Sequence, residues 1–396
     1  MSKLDVDIFV KSQIEIIRET LGGEKALVAV SGGVDSTVSA LLVHKAIGDN
    51  LVCVFIDDNF MRQSEPENVR AMLSSSPLNL PVNILGERDR FMRALAGLED
   101  AEEKRKAFRE TFYQTLSDAS RAEGCQYLVQ GTIKADIEET AGGIKTQHNI
   151  LEQIGIDPVE RFGFTVIEPI ASLYKYQVRE VARYLGAPTG VSERQPFPGP
   201  GLSVRVVGLI TEEKLQLLKI ATEVVEERFA EHKPAQYFAA IMSGETVEPP
   251  PELWGMVANA LDVNERHVNI RYLKERGTGM FEGNRTYGNV AVFSVEEGDS
   301  GAENLGYDEL ERAREAIQSS QQDISRVLYG VAGRDEDGYY ISMRAVETQD
   351  FLTAEISKIP LETLNKSAWE ILEACPRVSK VFYDVTPKPP ATVEYE

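Results

Sequence analysis

Residues 31–36 read Ser-Gly-Gly-Val-Asp-Ser, two glycines set among hydroxyls and a carboxylate. The apolar run Ala26-Leu27-Val28-Ala29-Val30 leads into them, and the helical pattern Thr37-Val38-Ser39-Ala40-Leu41-Leu42-Val43 leads out. Glycine reaches backbone angles closed to other residues, so successive N–H groups can face one concavity. That concavity and the positive end of the following helix favour an anion such as pyrophosphate. No Lys follows the glycines as in a Walker loop, and the three-glycine spacing of a dinucleotide fingerprint is absent. The plain alternative is a tight turn that merely needs glycine.

Other chemistry-bearing residues stand at the ends of apolar runs. Asp57 and Asp58 close the run 51–56, where carboxylates order water or metal near a nucleotide or sit in a solvated turn. After the strand predicted over 126–130 come Gly131, Thr132 and Asp136. Gly131 allows close backbone approach. Asp136 is the expected Mg²⁺ contact, since that ion takes one or two carboxylates plus phosphate oxygens; helix capping is its other reading. Lys145-Thr146-Gln147-His148-Asn149 holds one of only four histidines, three residues from a lysine able to neutralise phosphate charge in a transition state. A lone His also serves structure. Lys175 falls at a predicted helix start, where a cation opposes the dipole, so it is kept for a ligand or lies solvated. The stretch Gly201-Leu202-Ser203-Val204-Arg205 grips a phosphate or is a linker. The last nine residues, Lys388 to Glu396, are stiffened by prolines where chain ends usually fray. Their Lys and Glu suit a base and a phosphate, unless the tail is simply docked.

The elements that must position these groups follow from periodicity. A helix over 8–21 (Val10, Ile14, Ile17, Leu21) stops at Gly22. Strands over 26–30, 51–56, 81–85, 126–130 and 164–167 then alternate with helices over 36–47, 65–74, 88–96, 101–121 and 174–185. This pattern predicts an α/β, doubly wound parallel sheet, whose ligands gather at the carboxyl ends of the strands. Three prolines and two glycines within residues 195–201 exclude helix and central strand. A nucleotide-binding domain over 1–207 and a C-terminal domain over 208–396 are therefore expected. In the latter, Tyr287–Asp299 is similar to Tyr339–Asp350, and Ile324–Tyr329 to Val378–Tyr383, each unit reading strand, helix, strand. Two repeats, over about 230–334 and 335–396, would pair as a pseudo-dimer within one chain, unless the likeness is that of any two apolar strands.

The 396 residues carry a net charge of −21, which argues against a nucleic-acid backbone as partner, since that needs a basic footprint. Anionic ligands must be met by local Lys, Arg and a metal ion. No run approaches the ~18 apolar residues of a membrane span, and the acidic N-terminus lacks a signal peptide's apolar core. Cys53, Cys125 and Cys375 form neither metal spacing nor an even disulfide set. They read as small core residues of a cytoplasmic protein.

The glycine motif resembles the pyrophosphate loop of the N-type ATP pyrophosphatases. More of the chain resembles GMP synthase, in its ATP pyrophosphatase part, and nearly end to end: Glu102–Lys106, Tyr127–Ile133, Arg194–Arg205, Arg285-Thr286-Tyr287, Arg344-Ala345-Val346, Asp350–Ala354 and Lys388–Glu396. The motifs Pro-Phe-Pro-Gly-Pro-Gly-Leu and Lys-Pro-Pro-Ala-Thr are the specific ones. The resemblance implies an adenine nucleotide alpha hydrolase-like fold with an α+β dimerisation-type C-terminal domain. It implies a ligase that uses ATP to adenylate the carbon-2 oxygen of XMP, releases pyrophosphate, and lets ammonia displace AMP to give GMP. It further implies that Ser31, Gly32, Gly33, Asp35, Ser36, Asp57, Met61, Arg62, Gly131 and Thr132 bind ATP. Asp136 (with Mg²⁺), Lys145, His148 and Lys175 would be catalytic. Pro198, Gly199, Arg205, Arg285, Lys388, Val393 and Glu394 would bind XMP.

No glutaminase domain precedes the first helix, so the resemblance implies a separate glutamine amidotransferase subunit, and a homodimer or a pseudo-dimeric monomer. Gln147 stands where the family has the first of two histidines. Tyr176 and Gln177 stand where it has carboxylates. These departures keep two other readings open: a paralogue that adenylates another carbonyl, and a catalytically weak nucleotide-binding regulatory subunit.

Overall fold

Apolar residues at helical spacing make α1 (Val6–Leu21), which buries Val10, Ile17 and Leu21. Asp5 caps its start by accepting from the Ile8 N–H at 3.1 Å. Gly22 ends it in the left-handed region, at φ 56°, donating to the Arg18 carbonyl. The computed structural model describes residues 4–141, 157–192, 195, 197–296, 305–348 and 352–396. The chain divides into two units: Met1–Ala94 with Lys106–Gly199, and Leu95–Arg105 with Pro200–Glu396.

In the first unit β1 (Ala26–Ala29), α2 (Val34–Ile47), β2 (Leu51–Asp57), α3 (Glu65–Ser74), β3 (Val82–Gly86) and α4 (Arg88–Leu95) alternate. They are followed by α5 (Ala101–Glu123), whose first turn counts with the second unit, and by β4 (Tyr127–Val129), α6 (Lys134–Ala141), α7 (Pro158–Phe162), β5 (Thr165–Ile167), α8 (Lys175–Tyr184) and α9 (Thr189–Ser192). The five strands are all parallel, in the order β3-β2-β1-β4-β5. This is the expected doubly wound sheet. Chain order reverses beside β1, so the connections that leave the paired strands β1 and β4 run to opposite sides, the arrangement that makes a crevice at their carboxyl ends. Helix α2 is buried along Val38–Val43, and its core joins Val28, Cys53, Phe55 and Val178. The three cysteines are buried and unbonded, as expected.

The second unit holds α10 (Glu212–Phe229), β6 (Gln236–Met242), β7 (Thr246–Val247), α11 (Glu252–Leu261), β8 (Val268–Phe281), β9 (Asn284–Val295), α12 (Tyr307–Ser320), β10 (Ile324–Gly333), β11 (Tyr339–Glu347), β12 (Glu355–Ile356), α13 (Leu361–Ala374) and β13 (Val378–Asp384). One sheet runs β12-β11-β13-β10-β9-β8-β7, and β6 pairs with β11. Two strand–helix–strand units with parallel strands, β9–α12–β10 and β11–α13–β13, meet where β10 lies antiparallel to β13. There Tyr329 faces Tyr383 across the pair. Each unit has an antiparallel outer neighbour, β8 beside β9 and β6 beside β11. A hairpin joins the first pair. Residues 243–338 separate the second.

Candidate active site

The glycine loop follows β1 and opens α2, with Gly33 as the residue before the first helical turn. Gly32 takes φ 76°, a left-handed angle that suits glycine. The Ser31 and Ser36 hydroxyls lie 3.2 Å apart, and Ser36 Oγ also accepts from the Ser31 N–H at 3.2 Å. Thr37 Oγ1 donates to the Gly33 carbonyl at 2.8 Å. Gly131 presses on this loop from β4. A Cβ there would lie 2.9 Å from the Asp35 carbonyl carbon and 2.9 Å from the Ser36 nitrogen. Gly131 is therefore required by close approach of two backbones, the reason given for it in the sequence.

Lys175, the first residue of α8, forms an ion pair with Asp35 Oδ2. The second carboxylate oxygen, Asp35 Oδ1, is buried with no hydrogen-bond partner among the described residues. A buried acceptor left unmade is costly, so this atom marks where a donor or cation belongs. Gln177 accepts from the Tyr174 N–H at 2.9 Å and so caps α8. Glu and Gln serve that position alike, which gives the departure at Gln177 a structural role. Tyr176 is exposed and stacks on Tyr174 at 6.3 Å between ring centroids.

Asp136 caps α6: its Oδ2 accepts from the Ile133 N–H at 2.9 Å, and the residue is buried. Thr132 Oγ1 donates to Glu168 Oε1 at 2.5 Å. Asp57 pairs with Arg88 at 2.7 Å, and Asp58 accepts from the Phe60 N–H at 2.8 Å. Arg62 lies over the Phe197 ring, 4.3 Å from its centroid, so the turn after β2 meets the proline-rich stretch. Met61 and Pro198 are half-buried, and Gly199 is exposed. Lys145, Gln147, His148 and Asn149 lie outside the described residues.

In the second unit Arg205 and Glu394 are paired with each other. Arg205 Nε and Nη2 donate to the two Glu394 oxygens at 2.8 and 2.9 Å, a bidentate geometry. Gln236 adds a donor at 2.9 Å, and the guanidinium lies over Phe238 at 4.0 Å. Both residues are buried, and so is Val393. Lys388 is half-buried, at the one stretch of the tail that is not interior, residues 387–390. Arg285 is exposed beside the β8–β9 turn, paired with Met280.

Charged residues to which the sequence assigned no role hold this tail. Arg326 Nη1 donates to Asp384 Oδ2 at 2.8 Å, and Arg344 Nη1 forms an ion pair with the same oxygen at 2.7 Å. Burial alone would raise the Asp384 carboxyl, yet these two guanidiniums hold it below its ordinary value. The last residue is interior too. Glu396 pairs with Lys104, whose Nζ also donates to the Val206 and Gly208 carbonyls at 2.9 and 2.8 Å. Burial pushes the Glu396 side-chain carboxyl up to about 7 despite that partner, and pushes Lys104 down. A signal existed: Arg326 and Arg344 interrupt runs that otherwise read as buried strand.

A parallel sheet with a glycine loop at the carboxyl end of β1 defines a PP-loop nucleotide-binding protein, and residues 7–187 match the PP-loop domain family model. Residues 330–395 match the GMP synthase C terminal domain. A glutamine-hydrolyzing GMP synthase subunit of Saccharolobus islandicus (strain M.14.25) is 43% identical over 388 residues, 98% of each chain. The corresponding subunit of Archaeoglobus fulgidus is 36% identical over 393 residues, covering 99% of this chain and 100% of its own. The chain belongs to the same family of GMP synthase subunits.

Proposed function

We infer that the chain aminates XMP to GMP at the expense of ATP, as the ATP pyrophosphatase subunit of a two-subunit GMP synthase. The xanthine carbon-2 oxygen attacks the α-phosphorus of ATP and pyrophosphate leaves. Ammonia then adds at carbon 2 and AMP departs with that oxygen. Adenylation turns a poor leaving group into a good one, so the protein's work is positioning and charge neutralisation. The observation that carries this reading is the glycine loop held against Gly131 at the opening of α2, a cradle shaped for an anion. Its Ser31, Gly32, Gly33, Asp35 and Ser36 hold the pyrophosphate end of ATP. Thr132, Asp57, Met61 and Arg62 complete the ATP site. Lys175, Lys145 and His148 act on the phosphates. Pro198, Gly199, Arg205, Arg285, Lys388, Val393 and Glu394 serve XMP, the Arg205–Glu394 pair by shaping the tail.

The donor chemistry suits Mg²⁺. Asp35 offers an unpartnered carboxylate oxygen and Asp136 a second carboxylate. Mg²⁺ takes few protein ligands and completes its shell with phosphate and water. Bound there, Mg²⁺ would neutralise phosphate charge. Ammonia comes from a separate glutaminase subunit. The two joined strand–helix–strand units form a pseudo-dimer within one cytoplasmic chain. No helix among the described residues is long and apolar enough to cross a membrane.

The test is direct. Purified chain with ATP, Mg²⁺, XMP and ammonium is expected to give GMP, AMP and pyrophosphate in equal amounts. Absence of XMP-dependent pyrophosphate release overturns the reading.

A further inference from the structure

The motif Arg344-Ala345-Val346 has no part in the chemistry above, yet Arg344 is fully buried. Its Nε donates to the Val393 carbonyl at 3.0 Å, Nη1 to the Thr386 carbonyl at 3.0 Å and Nη2 to the Thr392 carbonyl at 3.1 Å. Asp384, 2.7 Å from Nη1, orients the guanidinium. These carbonyls flank residues 387–390 on both sides, the only part of the tail that is not interior. Lys388 lies in that stretch, tied through its own N–H and carbonyl to the Ala354 backbone at 2.7 and 3.0 Å. One planar fork thus closes both ends of a loop that carries a lysine. A point charge such as Lys has no matching geometry.

We propose that Arg344 is a positioning residue for XMP: it sets the 387–390 loop, and with it Lys388, in binding geometry before the nucleotide arrives. The proposal rests on the reading that Lys388 meets XMP. Arg344 does not touch the substrate. It removes the cost of ordering the loop on binding.

Steady-state kinetics of the whole chain test this, with Lys388→Ala as reference. Arg344→Lys keeps a charge for Asp384 but loses the three-carbonyl clasp. Its KM for XMP is expected to rise about tenfold or more, the scale of hydrogen bonds to a charged group, with KM for ATP within twofold of wild type. Both tryptophans, Trp254 and Trp369, lie in the second unit, so their emission reports whether that unit is folded. An unchanged KM for XMP, or equal rises for XMP and ATP, in a variant with native emission overturns the proposal. If Lys388→Ala also leaves KM for XMP unchanged, the reading of Lys388 falls with it. Should Arg344→Lys lose native emission, amide exchange in the wild type decides. Protection of Lys388 and Ala391, whose N–H groups donate to the Ala354 and Pro387 carbonyls, without XMP supports a preset loop, and protection that appears only with XMP overturns it.

Discussion

Gly131→Ala isolates the contact between the β4 turn and the glycine loop. The added Cβ would meet the Asp35 carbonyl carbon and Ser36 nitrogen at 2.9 Å and the Asp35 carbonyl oxygen at 3.2 Å, against 3.4 Å where ordinary contact begins. All three atoms are backbone, so neither side can rotate away, and the loops must part by roughly 0.5 Å. Gly131 is not in the left-handed region, so the effect is steric alone. Misplacing reacting groups by 1 Å costs about 10²-fold in rate. Half that displacement predicts about a tenfold fall in XMP-dependent pyrophosphate release, with overpacking costing about 1–3 kcal/mol of stability. Gly190→Ala is the control, because its Cβ meets nothing within 4 Å; both rate and melting temperature should match wild type. Pyrophosphate release is followed with a coupled assay alongside thermal melts. If Gly131→Ala turned over within twofold of wild type, the loop would tolerate the displacement and the reasoning would fail.

Lys175→Met should raise KM for ATP about tenfold while barely moving the melting temperature, since the Lys175 side chain is 44% exposed and such pairs add little stability; unchanged ATP kinetics would remove Lys175 from the site. Glu396 has a folded-state pKa raised from 4.5 to about 7 by burial. A raised carboxyl contributes stability below its unfolded pKa and loses it as pH climbs through the folded one. The melting-temperature advantage of wild type over Glu396→Gln should therefore shrink between pH 5 and pH 8, and an advantage that is constant or grows contradicts the burial of this carboxyl. The three buried thiols should resist a disulfide reagent at pH 8 until the chain is unfolded, Cys53 most of all, its thiol pushed up to about 12 by burial; rapid labelling of Cys53 in the native protein would show an opening absent from this fold.

The first unit was legible because its signals are local. Short apolar runs alternating with helical patterns marked all five strands, and Ser31–Ser36 declared the loop between β1 and α2. Gly22 announced a helix end by the one property it has, a cheap left-handed turn. Partnership across the chain was not legible. Nothing near Lys175 says that its ammonium meets Asp35, 140 residues away. Glu394 looked like a substrate contact by its place in a motif, while its carboxylate is held by Arg205 and Gln236. The buried charges Lys104 and Asp384 were hidden for the same reason, and the strand runs around Arg326 and Arg344 hinted at burial without naming a partner. Composition treats charge as surface, and only tertiary pairing makes an interior guanidinium tolerable. The strand–helix–strand likeness within the C-terminal part could be read, but not that β6 would seat itself beside β11.

That pairing has a consequence for the nascent chain. β6 leaves the ribosome with Phe238, Ala239, Ala240, Ile241 and Met242 in a row, all of them interior in the finished protein. Residues 243–338 must be synthesised before the first residue of β11 exists, which at ordinary translation speeds takes about 5–20 s. Throughout that wait a sticky strand edge has no mate to zip against, and other nascent chains compete for it. Helix α10, made just earlier and packed on β6 in the native state, is the shield already at hand. Translation pausing within 243–338 would lengthen the exposure, and slow or crowded expression is where this chain would aggregate first.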